Sequence, residues 1–180
     1  VQKLLELAQL IHTINRWVGQ LAYWLVLLMV AVGVWNVIGR YIGQWLDQSL
    51  TSNALIEIQW YLFDLVFLLG GAYTLQKNDH VRVDIIYKSF GSKGRAIANL
   101  IGTMLFLIPF CTMVIYFSWG SVVNAWQILE MSPDPGGLPR YPIKSMIIVS
   151  FVLLILQGIA NSIQYLAVIM NIASPWEEPE

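Results

Sequence analysis

Charge is what this sequence has least of. Only 12% of its 180 residues are Asp, Glu, Lys or Arg, against 57% hydrophobic, whereas soluble domains carry about 25% charged residues. No charge stands between Arg16 and Arg40, between Arg95 and Glu130, or between Lys144 and Glu177. Each gap is long enough to cross a bilayer, which takes about 20 apolar residues. A soluble fold is therefore excluded and three membrane spans are expected. Positive charge is also scarce: the net charge is -1. That leaves no basic face to neutralise phosphates and excludes nucleic acid as a partner.

Cysteine and histidine are almost missing. Cys111 is the single cysteine; it can close no internal disulfide, and its place inside the third apolar run reads as a small core residue. The two histidines, His12 and His80, both fall near one membrane surface. A bis-histidine haem site needs imidazoles deep inside a bundle, so that reading is poor. HExxH, CxxC, GxSxG and P-loop patterns do not occur. The expectation is a protein that is not an enzyme, with no catalytic residue, no metal and no cofactor of its own.

What is present is an all-α membrane protein. Four transmembrane helices are expected in a single membrane domain over residues 1–180, with spans at about 17–41, 55–76, 93–126 and 144–170. The second is the least apolar because "LFDLVFLLGGAYTL" follows Glu57 and contains Asp64. Residues 2–15 place Leu4, Leu7, Ala8, Ile11 and Ile14 on one helical face. They read either as an amphipathic helix lying on the inner membrane surface or as a plain extension of the first span. The first span is too long for a signal peptide and lacks a small-residue cleavage site. Five basic residues (Lys77, Arg82, Lys88, Lys93, Arg95) crowd the link between spans two and three. With that link and Lys3 and Arg16 in the cytoplasm, seven basic residues lie inside and three outside, so both termini are expected to be cytoplasmic. Residues 174–180 form an acidic tail.

Local chemistry adds detail. Ser52 or Asn53 can cap the second span, whose positive end also suits Glu57. Arg40 closes the first span at a depth matching Glu57, which suggests an ion pair between them. Gly70 and Gly71 carry no side chains to hold another helix away, and read as a close-packing site. Ser92 is the expected cap of the third span, and Pro109 within it predicts a kink. In "EMSPDPGGLPRYPIK" four prolines (133, 135, 139 and 142) imply a rigid outer loop, with a tight turn at Pro135, Gly136 and Gly137. A carboxylate inside a membrane is costly, and Asp64 reads either as part of an ion or proton path or as a polar contact to another chain. The contact is the preferred reading, because the other spans offer no charged group at that depth. "KNDHVRVDIIYK" (77–88) is read as an extended turn in which Asp84 caps a short helix, with His80 and Arg82 facing headgroups or a neighbouring subunit. A metal site of His80 with Asp79 and Asp84 is the alternative.

Four segments together carry a family resemblance: "NVIGRY", "EIQWYLFDLVFLLGGAYTLQKNDHVRVD", "SPDPGGLPRYPIK" and "LLILQGIA". They resemble the small, DctQ-like membrane subunit of tripartite ATP-independent periplasmic (TRAP) transporters. The most specific elements are Glu57 opening the second span, Gly70 with Gly71 near its end, and His80 to Asp84. The resemblance implies a bacterial inner-membrane scaffold for a large, elevator-type membrane subunit that uses a sodium gradient. It further implies a periplasmic binding protein that delivers organic acid anions such as carboxylates, and membrane lipids around the complex. Arg40, Glu57, Asp64, Gly70, Gly71, His80, Arg82 and Asp84 are then structural or interface candidates. Asp134, Pro135, Gly136, Gly137 and Arg140 are candidates for docking the binding protein. The rival class is a stand-alone channel, or a haem- or quinone-binding membrane anchor.

Overall fold

The computed structural model describes residues 2–79 and 90–171. Four helices, α1 (Lys3–Leu46, beginning at Gln2), α2 (Asn53–Lys77), α3 (Ser92–Gln127) and α4 (Tyr141–Ile169), are each long and apolar enough to cross a membrane. Among the described residues there is no strand, only an isolated bridge between Met131 and Pro139.

Residues 2–16 continue into the first span without a break. The result is one helix of 45 residues, about 67 Å long at 1.5 Å per residue. Of the two expectations for this segment, the structure follows the extension. Its apolar stripe is split: Ala8 and Ile11 are buried against Ala160 and Ile163 of α4, while Leu4, Leu7 and Ile14 stay exposed. That places the first turns of α1 beside the last third of α4 and makes them part of the bundle.

α4 packs on all three other helices, and α3 rests mainly on α4. What α4 buries is small or polar: Ser150, Gln157, Gly158, Ala160, Asn161, Ser162 and Ala167. Lipid tails are as apolar as leucine, so burying leucine gains little here. Close backbone approach and interhelical hydrogen bonds decide which face turns inward. Gln157 shows this most clearly. Fully buried, it accepts from Asn15 Nδ2 at 2.7 Å, lies 3.0 Å from His12 Nδ1 and donates to Asn161 Oδ1 at 2.7 Å. Asn161 in turn donates to the Leu75 carbonyl of α2 at 3.4 Å. Ser150 donates to the Leu68 carbonyl of α2 at 2.7 Å. The amides of α4 thus tie α1 and α2 together from the middle.

The expected close packing at Gly70 and Gly71 does not occur within this chain. A side chain at Gly70 would meet nothing within 4 Å, and one at Gly71 would make only ordinary contact with Leu154. The tight approaches are elsewhere. A methyl group at Gly19 would press into the Tyr73 ring, and one at Gly158 would come 2.8 Å from Leu107 of α3.

Helix ends follow a different chemistry from the one expected. Ser52 stands at the start of α2 in an extended conformation, but its side chain makes no capping bond. Asn53 is likewise used otherwise, as described below. Gly91, not Ser92, precedes the first turn of α3. α2 ends on Asn78 in the left-handed conformation (φ 63°), with the amides of Asn78 and Asp79 returned to Leu75 and Thr74. Asparagine tolerates that region better than most residues. Pro109 sits just after a π-helical turn, Thr103–Leu107. Proline cannot donate to residue 105 and its ring crowds that carbonyl. The wider turn is how α3 accommodates both, and it falls at the point where the sequence predicted a kink. Cys111 is buried in the core, as the sequence suggested.

Candidate functional site

The outer connection between α3 and α4 is a small clamped hairpin. Its turn is built from Asp134, Pro135, Gly136 and Gly137: the Gly137 amide donates to the Asp134 carbonyl at 3.0 Å, and Gly136 has φ 72°. Proline at the second position and a positive φ at the third define a type II turn, which glycine fills without steric cost. Below the turn, Ser132 N donates to Leu138 O at 3.0 Å and Arg140 N to Glu130 O at 2.8 Å. The base is tied to α4 by an ion pair between Lys144 and Glu130.

Glu57 of α2 holds this hairpin down. Its carboxylate accepts the Ser132 hydroxyl and, through Oε2, the Leu138 amide at 2.6 Å. Those bonds leave the side chain only 3% exposed. A carboxylate can accept several such bonds, and near a helix start the dipole favours its charge. Two neighbours on the same helix extend the grip: Asn53 Nδ2 donates to the Pro135 carbonyl at 3.1 Å, and Tyr61 OH to the Pro139 carbonyl at 3.4 Å. Gly137 is required at close quarters. A methyl there would stand 2.5 Å from Ser132 Cβ and 2.8 Å from Glu57 Oε1. Asp134, Pro135 and Gly136 at the tip are exposed, whereas Gly137 and Arg140 are half-buried.

The expected Arg40–Glu57 ion pair is not formed. Both Glu57 oxygens are taken by the hairpin, and the cation acting on them is Arg140. Matching depth was the right condition for one coordinate only, because the two side chains leave their helices in different directions. Arg40 is exposed and lines an open groove of about 650 Å³ together with Asn36, Tyr41 and Gln59. Asp64 is exposed too, on the outside of the bundle. His80, Arg82 and Asp84 lie outside the described residues, as do the short helix and the alternative metal site read there and the acidic tail.

Sequence reasoning missed three groups at this site: Ser132, the Leu138 amide and the Tyr61 hydroxyl. The turn at Pro135 to Gly137 and Glu57 carried the signals, the latter as an acidic residue at the head of an otherwise apolar span.

The family described as "Tripartite ATP-independent periplasmic transporters, DctQ component" matches residues 29–168. A protein of Haemophilus influenzae that carries the provisional name "TRAP transporter small permease protein" is 31% identical over 133 residues, covering 73% of this chain and 79% of its own length. No solved structure matches the chain significantly.

Proposed function

Since this chain belongs to the DctQ family, and is thus the small permease subunit of a TRAP transporter, we propose that it serves as the static brace of a sodium-driven carrier of organic acid anions. A large, elevator-type membrane subunit holds the substrate and sodium sites and carries out the movement. The small subunit supplies fixed contact area beside it. Its outer hairpin helps seat a periplasmic binding protein, and both of its termini lie in the cytoplasm. The family is one of transporter components, not of enzymes, and a permease family together with four helices long and apolar enough to cross a membrane supports a multi-pass inner-membrane location.

The observation that carries this reading is the hairpin over residues 130–140. A loop that only joined two helices would need no turn of fixed geometry, no cross-strand amide bonds and no buried carboxylate beneath it. Here all three hold an exposed tip, Asp134 to Gly136, in one position relative to α2. A fixed loop presents a binding surface at little entropic cost. Bracing is supported by α4, whose buried amides fasten α1 and α2 to a common axis. Bonds of that kind resist separate tilting of the helices.

The docking role has a direct test. Residues 133–137, "PDPGG", are replaced by five residues of a flexible glycine–serine sequence, and the whole transporter is reconstituted. Binding-protein affinity for the membrane complex is expected to fall about tenfold, the equivalent of one interfacial contact cluster of roughly 1.4 kcal/mol. Sodium-driven uptake at low binding-protein concentration falls with it. Unchanged docking and uptake would remove the hairpin from the seating surface.

A further inference from the structure

Glu57 and Asp64 lie seven residues apart on α2, so they project within about 20° of one another. Yet Glu57 is buried and Asp64 is exposed. The hairpin makes the difference: it covers this face of α2 at the outer end and stops above Asp64. Beneath it, Trp60, Phe63, Asp64 and Phe67 follow the i, i+3, i+4, i+7 spacing of one helical stripe. The three aromatic residues are 58%, 57% and 72% exposed.

Aromatic side chains alone would suit acyl chains. Asp64 does not. It stands eleven residues beyond Asn53 in a 25-residue helix, about 17 Å from the outer end at 1.5 Å per residue. That is near the middle of a hydrocarbon layer about 30 Å thick. Its one-carbon stem is too short to snorkel to either surface. Among the described residues it takes part in no ion pair or hydrogen bond. An intramembrane carboxylate that turns away from its own bundle needs a partner from elsewhere.

This chain cannot supply that partner from a second copy. Its basic residues flank the apolar runs at Arg16, Arg40, Arg95 and Lys144, with none at the depth of Asp64. A two-fold contact through this stripe would also set one Asp64 against the other. We infer that the Trp60–Phe67 face of α2 is covered, in the assembled transporter, by a helix of the large membrane subunit that carries a lysine or arginine paired with Asp64. The contact continues directly below the hairpin, so one edge of the molecule meets the partner within the membrane and the binding protein outside it. The inference rests on the function proposed above and names the surface and the chemistry that serve it.

The test is co-purification of the large subunit of the same transporter on affinity-tagged small subunit. Removing one member of a desolvated ion pair strands the other. Asp64→Leu and Asp64→Asn should each lower recovery of the large subunit at least about tenfold, with Asp64→Glu within about threefold of the native protein. The unfolding midpoint of the isolated small subunit in detergent should not change in any of the three, because Asp64 bonds to nothing among the described residues. Full recovery with Asp64→Leu overturns the inference and leaves the proposed function standing. A disulfide between two copies of a Phe63→Cys variant, in membranes containing the large subunit, overturns it as well. Failure of the native protein to retain any large subunit overturns both.

Discussion

Glu57→Leu releases the outer hairpin while the four helices remain folded. The leucine fills similar space but accepts no hydrogen bond, so the Ser132 hydroxyl and the Leu138 amide lose their acceptor together. Both groups lie in the half-buried part of the loop, and a donor stranded there costs more than the bond was worth. The loop regains partners only by lifting toward water. Amide hydrogen exchange at Leu138 is the readout, and it should accelerate at least about tenfold, with Ser132 and Arg140 following because their cross-strand bonds depend on the same register. Glu57→Gln keeps one carbonyl oxygen and should give a smaller acceleration. Helix amides of α4 should be unaffected. If exchange across residues 130–140 were the same in Glu57→Leu as in the native protein, the carboxylate would not be the anchor.

The second large effect belongs to Gln157. Gln157→Ala removes, in one step, the acceptor of Asn15 and the donor to Asn161, and separates both from His12. It also leaves a cavity at a position with no exposed surface. Polar contacts inside membrane bundles average well under 1 kcal/mol each, since the unfolded chain in the bilayer also finds partners. Three of them plus the cavity set the expected loss at about 2–4 kcal/mol. The change should be greatest in the first turns of α1, which meet α4 through Ala8, Ile11 and this amide cluster. Reversible unfolding in mixed micelles measures the loss, and protease sensitivity of residues 2–16 locates it. A loss below about 0.5 kcal/mol would mean that the apolar contacts alone hold α1 to α4.

The turn at Pro135 to Gly137 was legible in the sequence because its cause is local: proline fixes one φ, and glycine permits the positive φ that follows. The four helices were legible for an equally simple reason, the long uncharged runs. Glu57 was visible as an oddity, but its partners were not. Ser132 and Leu138 are 75 and 81 residues away, and nothing in their own neighbourhood marks them as donors to a carboxylate. The glycine pair makes no tight approach within this chain. Gly70 and Gly71 look the same in sequence whether they face a helix or open space, and only the rotation of α2 decides it. The Gln157 cluster is built from neutral amides, which no charge pattern marks in the sequence. In a bundle whose core is built from amides and hydroxyls, neutral polar residues at helical spacing are the better guide. Gln157 and Asn161, one turn apart in the last span, were that signal.

The central claim is that this chain braces a carrier and moves no solute alone. Proteoliposomes with an inward sodium gradient test it most directly, with uptake of radiolabelled mono- and dicarboxylates followed for the small subunit alone and for the small subunit with its large subunit and binding protein. The account predicts uptake only from the complete set. Sodium-dependent accumulation in vesicles holding the small subunit alone would contradict it.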